Sequence, residues 1–124
     1  MKILLVEDNP GDARLLEEML KEVDAAHYEI EHAESLEGAL QLLGEKAFDL
    51  VLLDLGLPGS IGLDTFHTVH SRIPSTPIIV LTGFGDDTFV ATAREAGVKN
   101  YLNKNTVDCD LLFSTIKEAT GQIP

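Results

Sequence analysis

The feature that most constrains this fold lies mid-chain, where Leu50, Val51, Leu52 and Leu53 run without a polar interruption into Asp54, Leu55 and Gly56. A short unbroken aliphatic run suits a strand covered on both faces of a sheet, so Asp54 stands where a buried strand ends. Gly56 and Pro58 follow at once. One permits dihedrals closed to other residues; the other fixes φ and lacks an amide hydrogen, so the strand gives way to a turn. A carboxylate is thereby set at the carboxyl edge of a central strand, where open α/β sheets carry their chemistry. An Asp in that place can also act only as a turn former, accepting from the amide two residues on. The rest of the chain decides between the two.

Ile3 to Val6 is a second apolar run, ended by Glu7, Asp8, Asn9 and Pro10. Leu15, Leu16, Met19, Leu20 and Val23 then recur at helical spacing and predict a helix packed on the sheet by that face. Tyr28 to Ala33 alternates, with Tyr28, Ile30 and His32 on one side and Glu29 and Glu31 on the other, as a strand at or near an edge does. Ser35 caps a second helix through Leu36, Ala39, Leu40, Leu42 and Leu43, which ends near Gly44 to Lys46. A third helix, about 62–72, carries Leu63, Phe66 and Val69. Ile78 to Leu81 is another apolar strand, stopped by Thr82 and Gly83; Asp86 and Asp87 open a fourth helix that Gly97 closes. Asn100 to Asn103 reads as a short strand ended by Lys104, and Asp108 to Thr120 as a last helix through Leu111, Leu112, Ile116 and Ala119. Strands alternating with helices over short connections imply parallel strands joined by right-handed crossovers. The fold class is α/β: a doubly wound, five-stranded parallel sheet with helices on both faces. At 124 residues, one domain over 1–124 is the expectation.

All carboxyl ends of a parallel sheet lie on one edge, so Glu7, Asp8, Asp54, Thr82 and Lys104 converge on one crevice. Three carboxylates repel one another, and a bound hard cation is the usual way to keep them ionised. Mg²⁺ fits best, because it takes oxygen ligands, keeps waters and shares its shell with phosphoryl groups. Lys104 and Thr82 add an ammonium and a hydroxyl that would grip an oxyanion near Asp54, and a carboxylate can attack phosphorus to give an aspartyl phosphate. Other chemistries lack support. No glycine-rich nucleotide loop follows a strand, no nucleophile elbow is present, and His27, His32, His67 and His70 show no metal-ligand pattern. A net charge of -12 repels nucleic acid and anionic membranes, so direct binding to either is not expected. Cys109 is the sole cysteine and the apolar start is too short for a signal peptide or a membrane span, which fits a reducing cytoplasmic location.

Leu5-Val6-Glu7-Asp8-Asn9, Leu53-Asp54 followed by Pro58 and Gly62, Leu81-Thr82-Gly83, Ala96-Gly97, Tyr101-Leu102 and Lys104 together resemble the receiver domain of bacterial response regulators, over essentially the whole chain. The resemblance implies a flavodoxin-like strand order 2-1-3-4-5. It implies that Asp54 accepts a phosphoryl group from a sensor histidine kinase or a histidine phosphotransfer protein. Asp8, Asp54 and the Gly56 carbonyl would hold Mg²⁺, with Glu7 acting largely through water, and Lys104 would pair with the phosphoryl oxygens. Thr82 would turn inward to the phosphoryl group and Tyr101 would follow, altering a face read by a downstream protein or by a second copy in a homodimer. Four positions depart from the family. Asn105 stands where the family has Pro after a cis bond, which before Asn would cost roughly 3 kcal/mol over trans, so the loop takes another path or stores strain. Gly56 and Phe84 cannot orient an attacking water, which implies slow self-hydrolysis. Ile61 replaces a commonly acidic residue before Gly62, which bears on partner contacts.

Two other classes stand beside this one. A Mg²⁺-dependent phosphohydrolase resembling haloacid dehalogenases would want a second Asp two residues after the nucleophile, where this chain has Gly56. A non-phosphorylated protein-binding module would have no need of Glu7, Asp8, Asp54, Thr82 and Lys104 together.

Overall fold

The computed structural model describes residues 1–24, 27–57, 62–83 and 87–121, the side chains of 87–90 aside. Pro58, Ile61, Phe84 and Asp86 lie outside the described residues. In chain order the elements are β1 (Lys2–Val6), α1 (Pro10–Asp24), β2 (Glu29–Ala33), α2 (Leu36–Glu45), β3 (Leu50–Asp54), α3 (Leu63–Arg72), β4 (Ile78–Thr82), α4 (Asp87–Glu95), β5 (Asn100–Asn103) and α5 (Cys109–Thr120). The strands form one parallel sheet of order β2-β1-β3-β4-β5. That is the order the family likeness implies, with the charged β2 at an edge. Asp54 and Thr82 are the last residues of their strands rather than the first beyond them.

Successive side chains of a strand face opposite sides, and the two sides of β3 meet different helices. Leu50 and Leu52 pack with Ile3, Leu5, Leu16, Leu20, Leu112 and Ile116, the layer of α1 and α5. Val51 and Leu53 pack with Leu4, Val6, Ala39, Phe66, Val69 and Ala93, the layer of α2, α3 and α4. A strand buried on both sides must be apolar at every position until it reaches the rim.

Helix ends follow local chemistry. Ser35 Oγ accepts from the Gly38 amide at 3.0 Å, and Asp108 Oδ1 from the Leu111 amide at 2.8 Å. Asn9 Oδ1 accepts from the Asp12 amide at 3.0 Å and starts α1 just beyond the β1 rim. Gly97, at φ 102°, turns the chain between α4 and β5 in a region closed to most side chains.

Two expectations fail. Leu15 and Leu111 were placed by spacing on packing faces, yet they are 49% and 44% exposed. Adjacent helix residues point about 100° apart, so the buried Leu16 and Leu112 turn their neighbours out to solvent. The loop after β5 also resolves: no peptide bond among the described residues is cis, so Lys104–Asn105 takes the trans path. Among the described residues no helix is long and apolar enough to cross a membrane.

Candidate functional site

Register brings the strand ends level. Val6 pairs with Leu53, Asp54 with Leu81 and Thr82 with Asn103, so the residues just past each pair meet along one rim. Alternation then sorts them. Glu7 continues the side of Ile3 and Leu5, Asp54 that of Leu50 and Leu52, and Lys104 that of Leu102, which all belong to the α1–α5 layer. Thr82 continues the other side, with Ile78 and Val80, the layer against which Tyr101 also packs.

On the first side Lys104 is the hub. Its Nζ donates to Glu7 Oε2 at 3.1 Å, Asp12 Oδ2 at 3.1 Å and Asp54 Oδ2 at 3.3 Å. The Glu7 and Asp54 side chains are almost wholly enclosed, while Asp12 is partly open to solvent. The two Asp54 oxygens have separate tasks: Oδ1 accepts from the Gly56 amide at 2.9 Å, which builds the turn, and Oδ2 faces Lys104. Glu7 Oε1 accepts from the Asn9 amide at 3.1 Å. The main chain helps hold Lys104, whose amide donates to the Thr82 carbonyl at 2.8 Å.

Burial pushes the Glu7 carboxyl up to about 7, and the Asp54 carboxyl beside it adds to the rise; the Asn9 amide and Lys104 pull it down only in part. Burial alone would lower the Lys104 ammonium, but its bonds to Glu7 and Asp12 and the Asp54 charge outweigh this and hold it above the ordinary lysine value. A cluster in which one carboxyl keeps a proton near neutrality is short of positive charge.

Glu7, Asp8 and Asp54 each bring one carboxylate oxygen within 4.8 Å of the others. An oxygen-only set on a rim that leaves room for waters fits a hard divalent ion such as Mg²⁺, and such an ion would take the place of the Glu7 proton. Gly56 lies beside Asp54; a Cβ there would meet nothing nearer than Asp54 Oδ1 at 3.4 Å, so a side chain has room. The cavity over these groups is also lined by Thr82, Gly83 and Gly62. Tyr101 is half-buried one strand away, opposite Val80.

Two residues escape the sequence reading. Asp12 sits in the first turn of α1, where an acid is accounted for by the helix dipole alone. Its position facing the carboxyl edge, where a lysine ends β5, is the signal that distinguishes it. His32, set aside with the other histidines, bonds the Glu7 carbonyl at 2.7 Å.

The arrangement can hold a divalent cation, present a carboxylate oxygen and stabilise an oxyanion beside it. A family model for the response regulator receiver domain matches residues 3–117. The response regulator protein FleR of Pseudomonas aeruginosa is 32% identical over 123 residues, 99% of this chain and 25% of FleR. The transcriptional regulatory protein ResD of Bacillus subtilis is 35% identical over 103 residues, 83% of this chain and 41% of ResD. The chain thus spans about a quarter to two-fifths of these curated relatives. Among solved structures, the signal receiver domain of an HD domain-containing protein from Pseudomonas fluorescens superposes with a TM-score of 0.83 at 30% identity, over 98% of this chain and 94% of that one. A CheY-like receiver domain protein from Methanospirillum hungatei gives 0.80 at 26% identity, over 98% and 94%.

Proposed function

Since the chain belongs to the response regulator receiver domain family, we propose that it is a phosphorylation-controlled signalling switch whose acceptor is the Asp54 carboxylate. The donor is a phosphohistidine on a sensor histidine kinase or a histidine phosphotransfer protein. An Asp54 oxygen attacks phosphorus, a P–O bond forms, the P–N bond breaks, and the imidazole nitrogen leaves with its electron pair. Asp8, Asp54 and the Gly56 carbonyl would hold Mg²⁺, with Glu7 acting through water, and the ion would supply positive charge to offset that on the transferring oxygens. Lys104 exchanges part of its carboxylate shell for a phosphoryl oxygen, and the Thr82 hydroxyl donates to another. Tyr101 follows Thr82 inward, since both belong to the same side of the sheet. A local charge event thereby biases a two-state surface that a downstream protein reads, with a homodimer through the Tyr101 face as one form of that readout. A cytoplasmic setting suits such a relay. The protein turns over no external substrate, and any loss of the phosphoryl group is its own hydrolysis.

The observation that carries this reading is Lys104 Nζ lying 3.3 Å from Asp54 Oδ2 with the Glu7 and Asp8 carboxylates alongside. Incubation with Mg²⁺ and acetyl phosphate followed by intact mass measurement tests it. The wild type gains one phosphoryl group and Asp54→Asn gains none. Catalytic consumption of the donor would indicate a phosphohydrolase instead, and an unchanged mass a module that binds proteins without phosphorylation.

A further inference from the structure

Resting on the metal-site reading above, we propose that His32 is a positioning residue for the cation site: its imidazole holds the peptide plane that joins Glu7 to Asp8. His32 Nε2 lies 2.7 Å from the Glu7 carbonyl oxygen. A carbonyl oxygen only accepts, so Nε2 carries the hydrogen, as it does in one neutral tautomer and in the imidazolium alike. The bond needs no charge on the ring.

Its place in the sheet explains its use. The Glu7 amide donates to the Ala33 carbonyl at 3.0 Å, extending the β1–β2 ladder one residue past β1. Beyond Ala33 the chain turns away into the Ser35 cap of α2, and the imidazole from β2 supplies a donor for the Glu7 carbonyl. That carbonyl belongs to the rigid plane containing both the Glu7 and the Asp8 Cα atoms. Fixing the plane fixes ψ of Glu7 and φ of Asp8, the dihedrals that aim two neighbouring carboxylates of the cation cluster at one point. Among the described residues no hydrogen bond aims the Asp8 carboxylate, whereas those of Glu7, Asp12 and Asp54 are each held by one. Preorganisation from behind the ligands is how outer partners commonly raise metal affinity.

Calorimetric titration with Mg²⁺ of the wild type, His32→Val and His32→Gln tests this, with a thermal melt of each. Val suits a strand and cannot donate, whereas the Gln amide nitrogen reaches about where Nε2 stands. The expected result is about tenfold or more weaker Mg²⁺ binding in His32→Val, with His32→Gln within about twofold of wild type and melting temperatures alike in all three. Equal affinity in His32→Val and wild type overturns the inference while leaving the metal site standing. Affinity in His32→Gln as poor as in His32→Val overturns it too, because the ring would then act through packing. A wild type that binds no Mg²⁺ brings down the metal-site reading and the inference with it. If His32→Val does not fold, nuclear magnetic resonance of the wild type decides: a slowly exchanging His32 Nε2–H together with retained affinity in His32→Gln supports the bond, and a rapidly exchanging one refutes it.

Discussion

Asp54 leaves room for both of the readings that the sequence sets against each other. Oδ1 bonds the Gly56 amide and forms the turn, and Oδ2 is left to Lys104 and the site. A carboxylate has lone pairs for both, so a turn-forming Asp at a strand end is no argument against function. The site's shortage of positive charge falls on Glu7. Its carboxyl ionises near 4.5 without the fold and near 7 within it, so between those values only the folded protein holds the proton. Stability of the metal-free protein therefore falls as pH rises from about 4.5 through about 7, by at most about 3 kcal/mol. Thermal melts without metal should show this decline, Glu7→Gln should flatten it, and saturating Mg²⁺ should reverse it; an identical slope in Glu7→Gln would reject the assignment. Asp12 matters less. Its pair with Lys104 is partly solvated, so Asp12→Asn should lower unfolding stability by less than about 1 kcal/mol. At Gly56 the space beside Asp54 accepts a Cβ. Gly56→Asn should therefore let an amide orient water and shorten the acyl-phosphate lifetime several-fold, as read by the decay of phosphorylated mass; a lengthened lifetime would contradict this.

At the scale of elements, each of the ten was legible because its local chemistry agrees with its tertiary role. The uninterrupted apolar runs of β1, β3 and β4 mark strands covered on both sides, and the Ser35 and Asp108 caps sit where spacing puts helix starts. Ser35→Ala or Asp108→Ala should each cost about 1 kcal/mol in denaturant unfolding. Leu52→Ala, in the wholly buried centre of β3, should cost about 3 kcal/mol. The helix faces were less legible, since adjacent apolar pairs such as Leu15–Leu16 do not say which member turns inward. The rim residues were legible as a set because parallel strands end together. How they divide needed the sheet itself: spacing fixes parity within a strand, but only the packing puts Leu50, Leu5 and Leu102, and with them Asp54, Glu7 and Lys104, on one side and Val80, with Thr82, on the other. What spacing could not carry is Asp12 and His32, which reach the site from a helix turn and an edge strand through contacts that depend on how those elements dock.

For the molecule as a whole, the division into two sides decides how a charge at Asp54 can be felt far away. Lys104 and Thr82 are tied through the main chain by the Lys104 amide on the Thr82 carbonyl, at the paired ends of β4 and β5. In the proposed switch, a demand on the Lys104 ammonium from a phosphoryl group would be felt along the strand that carries Thr82. Thr82 shares its side with Tyr101, which packs against Val80 and the α2–α4 layer. In the proposed switch, a phosphoryl group on the α1–α5 side would reach the opposite layer by way of one hydroxyl at a strand end rather than by a shift of the sheet, whose core is close-packed on both faces. The sequence has no tryptophan, so Tyr101→Trp provides a sole indole at the far end of this route. Its emission should shift to the blue when Mg²⁺ and acetyl phosphate are added, because the proposed switch would carry the ring from a half-buried to a buried place. The shift should vanish in Asp54→Asn, which lacks the proposed acceptor carboxylate. It should also vanish in Thr82→Ala while the phosphorylated mass is still gained, which separates transmission from chemistry. A blue shift that survives Thr82→Ala would mean that the signal crosses the sheet by another path.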